Sequence, residues 1–164
     1  MPTTLGPKYD IEWRGRPPHM LREDVPVWYR FLVDWGFLID ALYYDCLLGG
    51  IALTEEEQSD PMKRMWRANT AKRADAIAEL ENEIWIIEVA HRPGLRAIGQ
   101  LLTYQYLWRE DPKIEKPDKM VLVCQDFDTD LFAAAARSGI LIYAVPTDGG
   151  PRSPVVPTPL PQPE

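Results

Sequence analysis

The sequence predicts an α/β protein: a mixed central β-sheet flanked by helices. Three observations predict it. Residues 73–80 and 83–90 are two apolar-rich runs separated by Glu81 and Asn82, the pattern of an antiparallel hairpin. Residues 119–124 and 140–145 are continuous apolar runs of strand length, as expected for strands buried on both faces. Between them, residues 128–137 begin with acidic side chains and stop before Gly139, as a helix does, so the last two strands pair in parallel through a crossover. A chain of 164 residues, 46% hydrophobic and 26% charged, is enough for one soluble domain with a core.

In chain order, residues 1–26 read as an irregular N-terminal arm, because Pro17, Pro18 and Pro26 interrupt any helix. Residues 27–37 have the spacing of an amphipathic helix, and residues 41–48 form a strand bounded by Gly49 and Gly50. Residues 54–60 are a charged solvent segment or helix start. Asp60 is placed to cap a short helix over 61–67, with Pro61 at its first position. After the hairpin, Arg92, Pro93 and Gly94 turn the chain into a helix over 95–109. Leu101, Leu102 and Leu107 of that helix are assigned to the core. Trp66, Trp85 and Trp108 read as core or interface residues, and Trp13, Trp28 and Trp35 suit a partner surface equally well. The single domain spans 27–145. Residues 146–164 hold seven prolines and no periodicity, so this Pro-rich C-terminal tail reads as polyproline-like or disordered.

Charge and composition narrow the function. A formal charge of −7 and a pI near 4.9 argue against a dedicated DNA binder, since phosphate binding draws on Lys and Arg. Arg92, Arg96 and Arg109 are the candidates for a local basic groove. Cys46 and Cys124 sit in apolar runs without metal-ligand spacing and read as buried thiols; with two histidines no zinc site is suggested. No signal-peptide core or membrane-length apolar run is present, so the expectation is an intracellular protein or a virion component.

The hairpin carries the chemistry. With Glu81 and Asn82 as the turn, Asp75 falls opposite Glu88, Arg73 opposite Ala90, and Ile77 opposite Ile86. Like charges directly opposed on neighbouring strands destabilise the pair, and a hard cation such as Mg²⁺ would compensate. The plainer reading is a solvent-facing charged strand with Arg73 beside the acids. On the following helix Arg96, Gln100 and Tyr104 recur at four-residue spacing and share one face.

These residues resemble the PD-(D/E)XK nuclease superfamily, whose members have the restriction-endonuclease-like fold. The resemblance covers roughly residues 70–145. It places the family's strand aspartate at Asp75 and the E-x-K glutamate at Glu88, with both as Mg²⁺ ligands. It also places the Q-x-x-x-Y element of RecB-type members at Gln100 and Tyr104. The carboxylate many members carry on the first helix falls to Asp34 or Asp45. The family lysine falls on Ala90, and a methyl group supplies no charge at the phosphate. Arg73 and Arg96 are the side chains placed to fill that position, although arginine stays protonated and cannot act as a base.

The balance of these features favours a degenerate nuclease-fold protein. It would be a non-enzymatic structural or protein-binding component of a larger assembly, such as a phage virion, meeting protein partners through the arm and tail. The alternative is a Mg²⁺-dependent DNA nuclease using Asp75, Glu88, Gln100 and Tyr104, with Arg73 or Arg96 near the vacant lysine position.

Overall fold

Six strands form one mixed sheet in the order of the chain, as seen in a computed structural model that describes residues 2–147. The strands are β1 (Lys8–Tyr9), β2 (Ala41–Leu48), β3 (Lys72–Glu79), β4 (Ile84–Ala90), β5 (Asp118–Cys124) and β6 (Leu141–Ala144). The first four pair antiparallel, and β4–β5 and β5–β6 pair parallel. The helices are α1 (Val25–Trp35), α2 (Glu55–Gln58), α3 (Pro61–Thr70), α4 (Leu95–Glu110) and α5 (Thr129–Arg137). The α/β class and the flanked mixed sheet follow the pattern read from sequence. The expected Pro-rich tail lies outside the described residues from 148 onward.

Local chemistry explains the boundaries. Pro26 sits in the first turn of α1, where its missing N–H costs no helix hydrogen bond. Asp60 and Asp128 cap α3 and α5 by accepting the N–H groups of Met62 and Asp130 at 2.9 and 2.8 Å. Gly50, at φ +80°, ends β2 where an added Cβ would meet the Cα of Ala71 at 3.1 Å. The β3–β4 hairpin turns through Glu81 and Asn82, with Ile77 opposite Ile86 and Leu80 N–H donating to Glu83 C=O at 2.8 Å.

The core has two halves. On one face α1 places Val27, Trp28, Phe31 and Leu32 against Tyr44, Ala76, Trp85 and Val121. On the other, α4 and α5 place Leu101, Tyr104, Trp108 and Ala135 against Cys46, Ala74, Ile86 and Leu122. Strand side chains alternate between faces with period two, and β4 and β5 obey this. β2 and β3 do not. Tyr44 and Cys46 lie in opposite halves, as do Ala76 and Ala74. The residue between each pair is an aspartate: Asp45, held at φ 55°, and Asp75. Aspartate tolerates this left-handed backbone better than most side chains. Both strands therefore change faces at one level of the sheet.

Three expectations need correction. The arm over residues 1–26 is not irregular throughout. Thr4 and Leu47 exchange both backbone hydrogen bonds at 2.9 Å, β1 pairs with β2, and Tyr9 packs on Trp13 and Tyr44 with ring centroids 4.8 Å apart. Prolines bar a helix there but leave an edge strand open. Leu102 is exposed, because the face of α4 that meets the sheet is set by Ala97, Leu101, Tyr104 and Trp108. Trp28 is fully buried, and Trp13 and Trp35 pack against the same core half. Trp66 is half-exposed on α3, a helix with no buried residue.

Ile86→Ala should lower stability by about 2–5 kcal/mol through loss of buried methyls and the cavity left behind. Leu95→Ala, at a position 81% exposed, should change it by under about 0.5 kcal/mol. Urea denaturation of the two variants checks the contrast.

Candidate functional site

The face switch opens a cavity of about 400 Å³ between the arm, the β3–β4 hairpin and the start of α4. Asp75, Glu88, Arg73, Arg96, Gln100 and Tyr104 all line it. Tertiary structure thus brings together the six residues of the hairpin and the α4 face that the sequence nominated, but not Asp34 or Arg109.

Each is positioned by its element. The β3–β4 ladder ends at Ala76–Ile87, one pair short of the expected Asp75–Glu88 pair. Beyond it the strands part, and the N–H of Val89 donates to Asp75 Oδ2 at 2.8 Å in place of a ladder bond. Glu88 belongs to the Ile84–Ile86 row, facing α4. It is 9% exposed, and its Oε2 is buried without a hydrogen-bond partner among the described residues. Gln100 Nε2 donates to the Tyr104 hydroxyl at 3.2 Å, as their one-turn spacing on α4 allows.

The two arginines part company. Arg73 does not cross to Ala90. Its guanidinium is bound to Asp45 Oδ1 at 2.6 Å and to the carbonyl of Ala68 at 2.9 Å, because β3 has already left β4 at this level. Arg96 is exposed on the cavity rim, and its charge acts on Glu88 and Tyr104. Arg92 lines the cavity as well. Arg109 does not join a groove with them: it is paired with Asp118 at 2.9 Å near the far end of α4.

A third carboxylate escaped the sequence reading. Asp24 is buried at the start of α1, where it reads as a helix cap. It makes no side-chain cap; its Oδ1 accepts the N–H of His91 at 2.7 Å. Its charge raises the carboxyls of both Asp75 and Glu88. Of the two acids proposed for this place, Asp34 does not line the cavity and Asp45 is engaged by Arg73. Only the long-range bond between Asp24 and His91 distinguishes Asp24 from an ordinary cap, and no sequence pattern carries it.

Burial and mutual repulsion dominate the electrostatics. Desolvation, followed by the charges of Asp75 and Asp24, pushes Glu88 up to about 9, against the attraction of Arg96. Desolvation raises Asp75 to about 7, although the Val89 N–H favours its ionised form. The same burial, with Glu88 next, raises the Tyr104 hydroxyl. Two acids held this way bind either protons or a cation. Among the described residues no group of three or more His, Cys, Asp and Glu side chains is gathered as a metal cage. Asp75 and Glu88 offer two carboxylates, which suits Mg²⁺, an ion that keeps several waters and takes one or two carboxylates from a protein. The orphaned Glu88 Oε2 fits such a role.

Comparison with protein-family models, with curated proteins and with solved structures returned no match. Among the described residues no helix is long and apolar enough to cross a membrane.

The raised carboxyls set a direction for pH dependence. Unfolded, both titrate near about 4; folded, near about 7 and about 9. Between these limits the folded chain holds protons that the unfolded chain has released, so stability falls as pH rises. In EDTA, wild-type stability should drop between pH ~5 and pH ~9, and Glu88→Gln should flatten that drop. Guanidinium melts at both pH values check it; parallel profiles would mean that Glu88 titrates normally.

Proposed function

We propose that this protein is a restriction-endonuclease-like, Mg²⁺-dependent deoxyribonuclease with Asp75 and Glu88 as its metal ligands. One observation carries the reading: a buried pair of acids, with Glu88 Oε2 unpartnered among the described residues, faces an open cavity. Leaving a charged group desolvated and unpaired costs several kcal/mol, and a scaffold would gain by replacing it. A divalent cation removes that cost.

When bound, Mg²⁺ supplies a water of lowered pKa and polarises the phosphate. The chain's own side chains do the rest. Asp75 is held in orientation by the N–H of Val89. Gln100 and Tyr104 form a polar wall along the strand path, their rotamers joined by the hydrogen bond between them. Arg96 neutralises phosphate charge from the rim, in the place that Ala90 leaves empty; staying protonated, it takes no proton. Arg73 holds Asp45, and with it the face switch.

A second reading is a non-enzymatic component of a larger assembly such as a virion. Ala90 and the charge of −7 favour it.

The deciding experiment is cleavage of single- and double-stranded DNA in Mg²⁺ and in Mn²⁺. Wild type should cut, Glu88→Ala should not, and Arg96→Ala should slow the chemical step by about 10²-fold, the loss typical of one preorganised charged donor. Ala90→Lys should raise the rate. No cleavage by wild type in either metal overturns the nuclease reading in favour of the assembly component.

A further inference from the structure

The cationic charge of this acidic chain is unevenly distributed. Between Pro61 and Arg73 stand Lys63, Arg64, Arg67, Lys72 and Arg73, five of the chain's 18 Lys and Arg, with no Asp or Glu among them. They occupy α3 and the first residues of β3. Arg67 and Arg73 are used internally: Arg67 reaches the carbonyl of Gly49 at 3.2 Å, and Arg73 holds Asp45. Lys63, Arg64 and Lys72 are exposed.

The apolar side chains of α3 are equally unusual. The helix has no buried residue, yet Met62, Met65 and Trp66 lie on it, exposed by 78%, 63% and 50%. Positions 62, 65, 66 and 69 share one face at helical spacing. Asn69, the last of them, opens into a groove of about 800 Å³ with Lys72, Arg96, Gly99 and Thr103 along its walls. Among the described residues the groove lining contains no acidic side chain. Arg73, Arg96, Gln100 and Tyr104 line both this groove and the carboxylate cavity, so the two are continuous. Gly99 adds a further sign. It lies inside α4, where glycine is less favourable than alanine, and an added Cβ would meet nothing within 4 Å. Nothing among the described residues requires glycine there, whereas a backbone lying in the groove would.

We propose that α3 and this groove bind single-stranded nucleic acid and lead it to the carboxylate cavity, with a base stacked on Trp66 and phosphates at Lys63, Arg64, Lys72 and Arg96. A cationic track beside an exposed aromatic ring is the surface that single strands select, since every base offers a face to stack and the backbone follows the charge. A duplex cannot splay a base onto Trp66 without losing its own stacking. The inference deepens the nuclease reading by naming the substrate form, and rests on it only for the destination of the strand.

Fluorescence anisotropy with a labelled mixed-sequence DNA oligonucleotide tests it, in EDTA and in a Glu88→Gln background, so that no cleavage intervenes. The single strand should bind more tightly than the same sequence as a duplex. Trp66→Leu should weaken single-strand binding by about tenfold. Lys63→Gln/Arg64→Gln/Lys72→Gln should reduce the salt slope of log K by about two. All four side chains are exposed, and thermal melts verify that the variants fold. Equal affinity for strand and duplex, or binding indifferent to these substitutions, overturns the proposal. So does absence of DNA binding, including the case where α3 binds phosphatidylserine–phosphatidylcholine vesicles instead. Binding that persists while wild type cuts nothing in Mg²⁺ or Mn²⁺ leaves the track standing and removes only the nuclease reading.

Discussion

The separation of β3 from β4 at Asp75 is the constraint on which the site depends. Up to Ala76–Ile87 the two strands share a regular ladder. One residue further, Asp75 uses its side chain to satisfy the Val89 N–H, and the backbone of β3 is released. That release lets β2 and β3 exchange faces together at Asp45 and Asp75. The exchange in turn carries Ala74 and Cys46 to the α4 side and leaves a gap that the arm and α4 close over. The cavity is the space left where a twisted sheet stops obeying its own period.

The electrostatics follow from the same event. Had the ladder continued, Asp75 and Glu88 would have faced each other across a regular sheet. Instead they are drawn under α4 and the arm, and Asp24 joins them from the far side because its carboxylate is tied to His91. Acids held in one desolvated place are stable as proton carriers, or, for the Asp75–Glu88 pair, beside a cation. The positive charges that face them come from α4, through Arg96, and more distantly from the acid-free stretch that starts at α3. The chain as a whole is acidic, but the approach to its most buried acids is not.

Much of the fold was legible because it rests on short-range patterns. The hairpin register came from two apolar runs and a two-residue turn, and Ile77 does face Ile86. Asp60 and Asp128 announced the helices they cap. The continuous apolar runs of β5 and β6 reported their burial between helices. The arm was misread because its prolines describe what it cannot form, while its pairing with β2 depends on Leu47, which is distant in sequence. Leu102 was misassigned because an apolar residue on a helix reports its face only relative to what packs there.

The sequence by itself determined most of the elements and the antiparallel register from Glu81–Asn82 as far as Ala76–Ile87, since these follow from spacing along a strand or a helix, and it nominated Asp75, Glu88, Arg96, Gln100 and Tyr104 through that spacing together with the family resemblance. Only the tertiary structure decided which charges meet. It committed Arg73 to Asp45, left Arg96 at the cavity, brought Asp24 in from the start of α1, and set the exposed face of α3 beside the groove. The reason is physical. Spacing along one element is a local property of the backbone, whereas burial, desolvation and the pairing of charges depend on which distant segments close over a site.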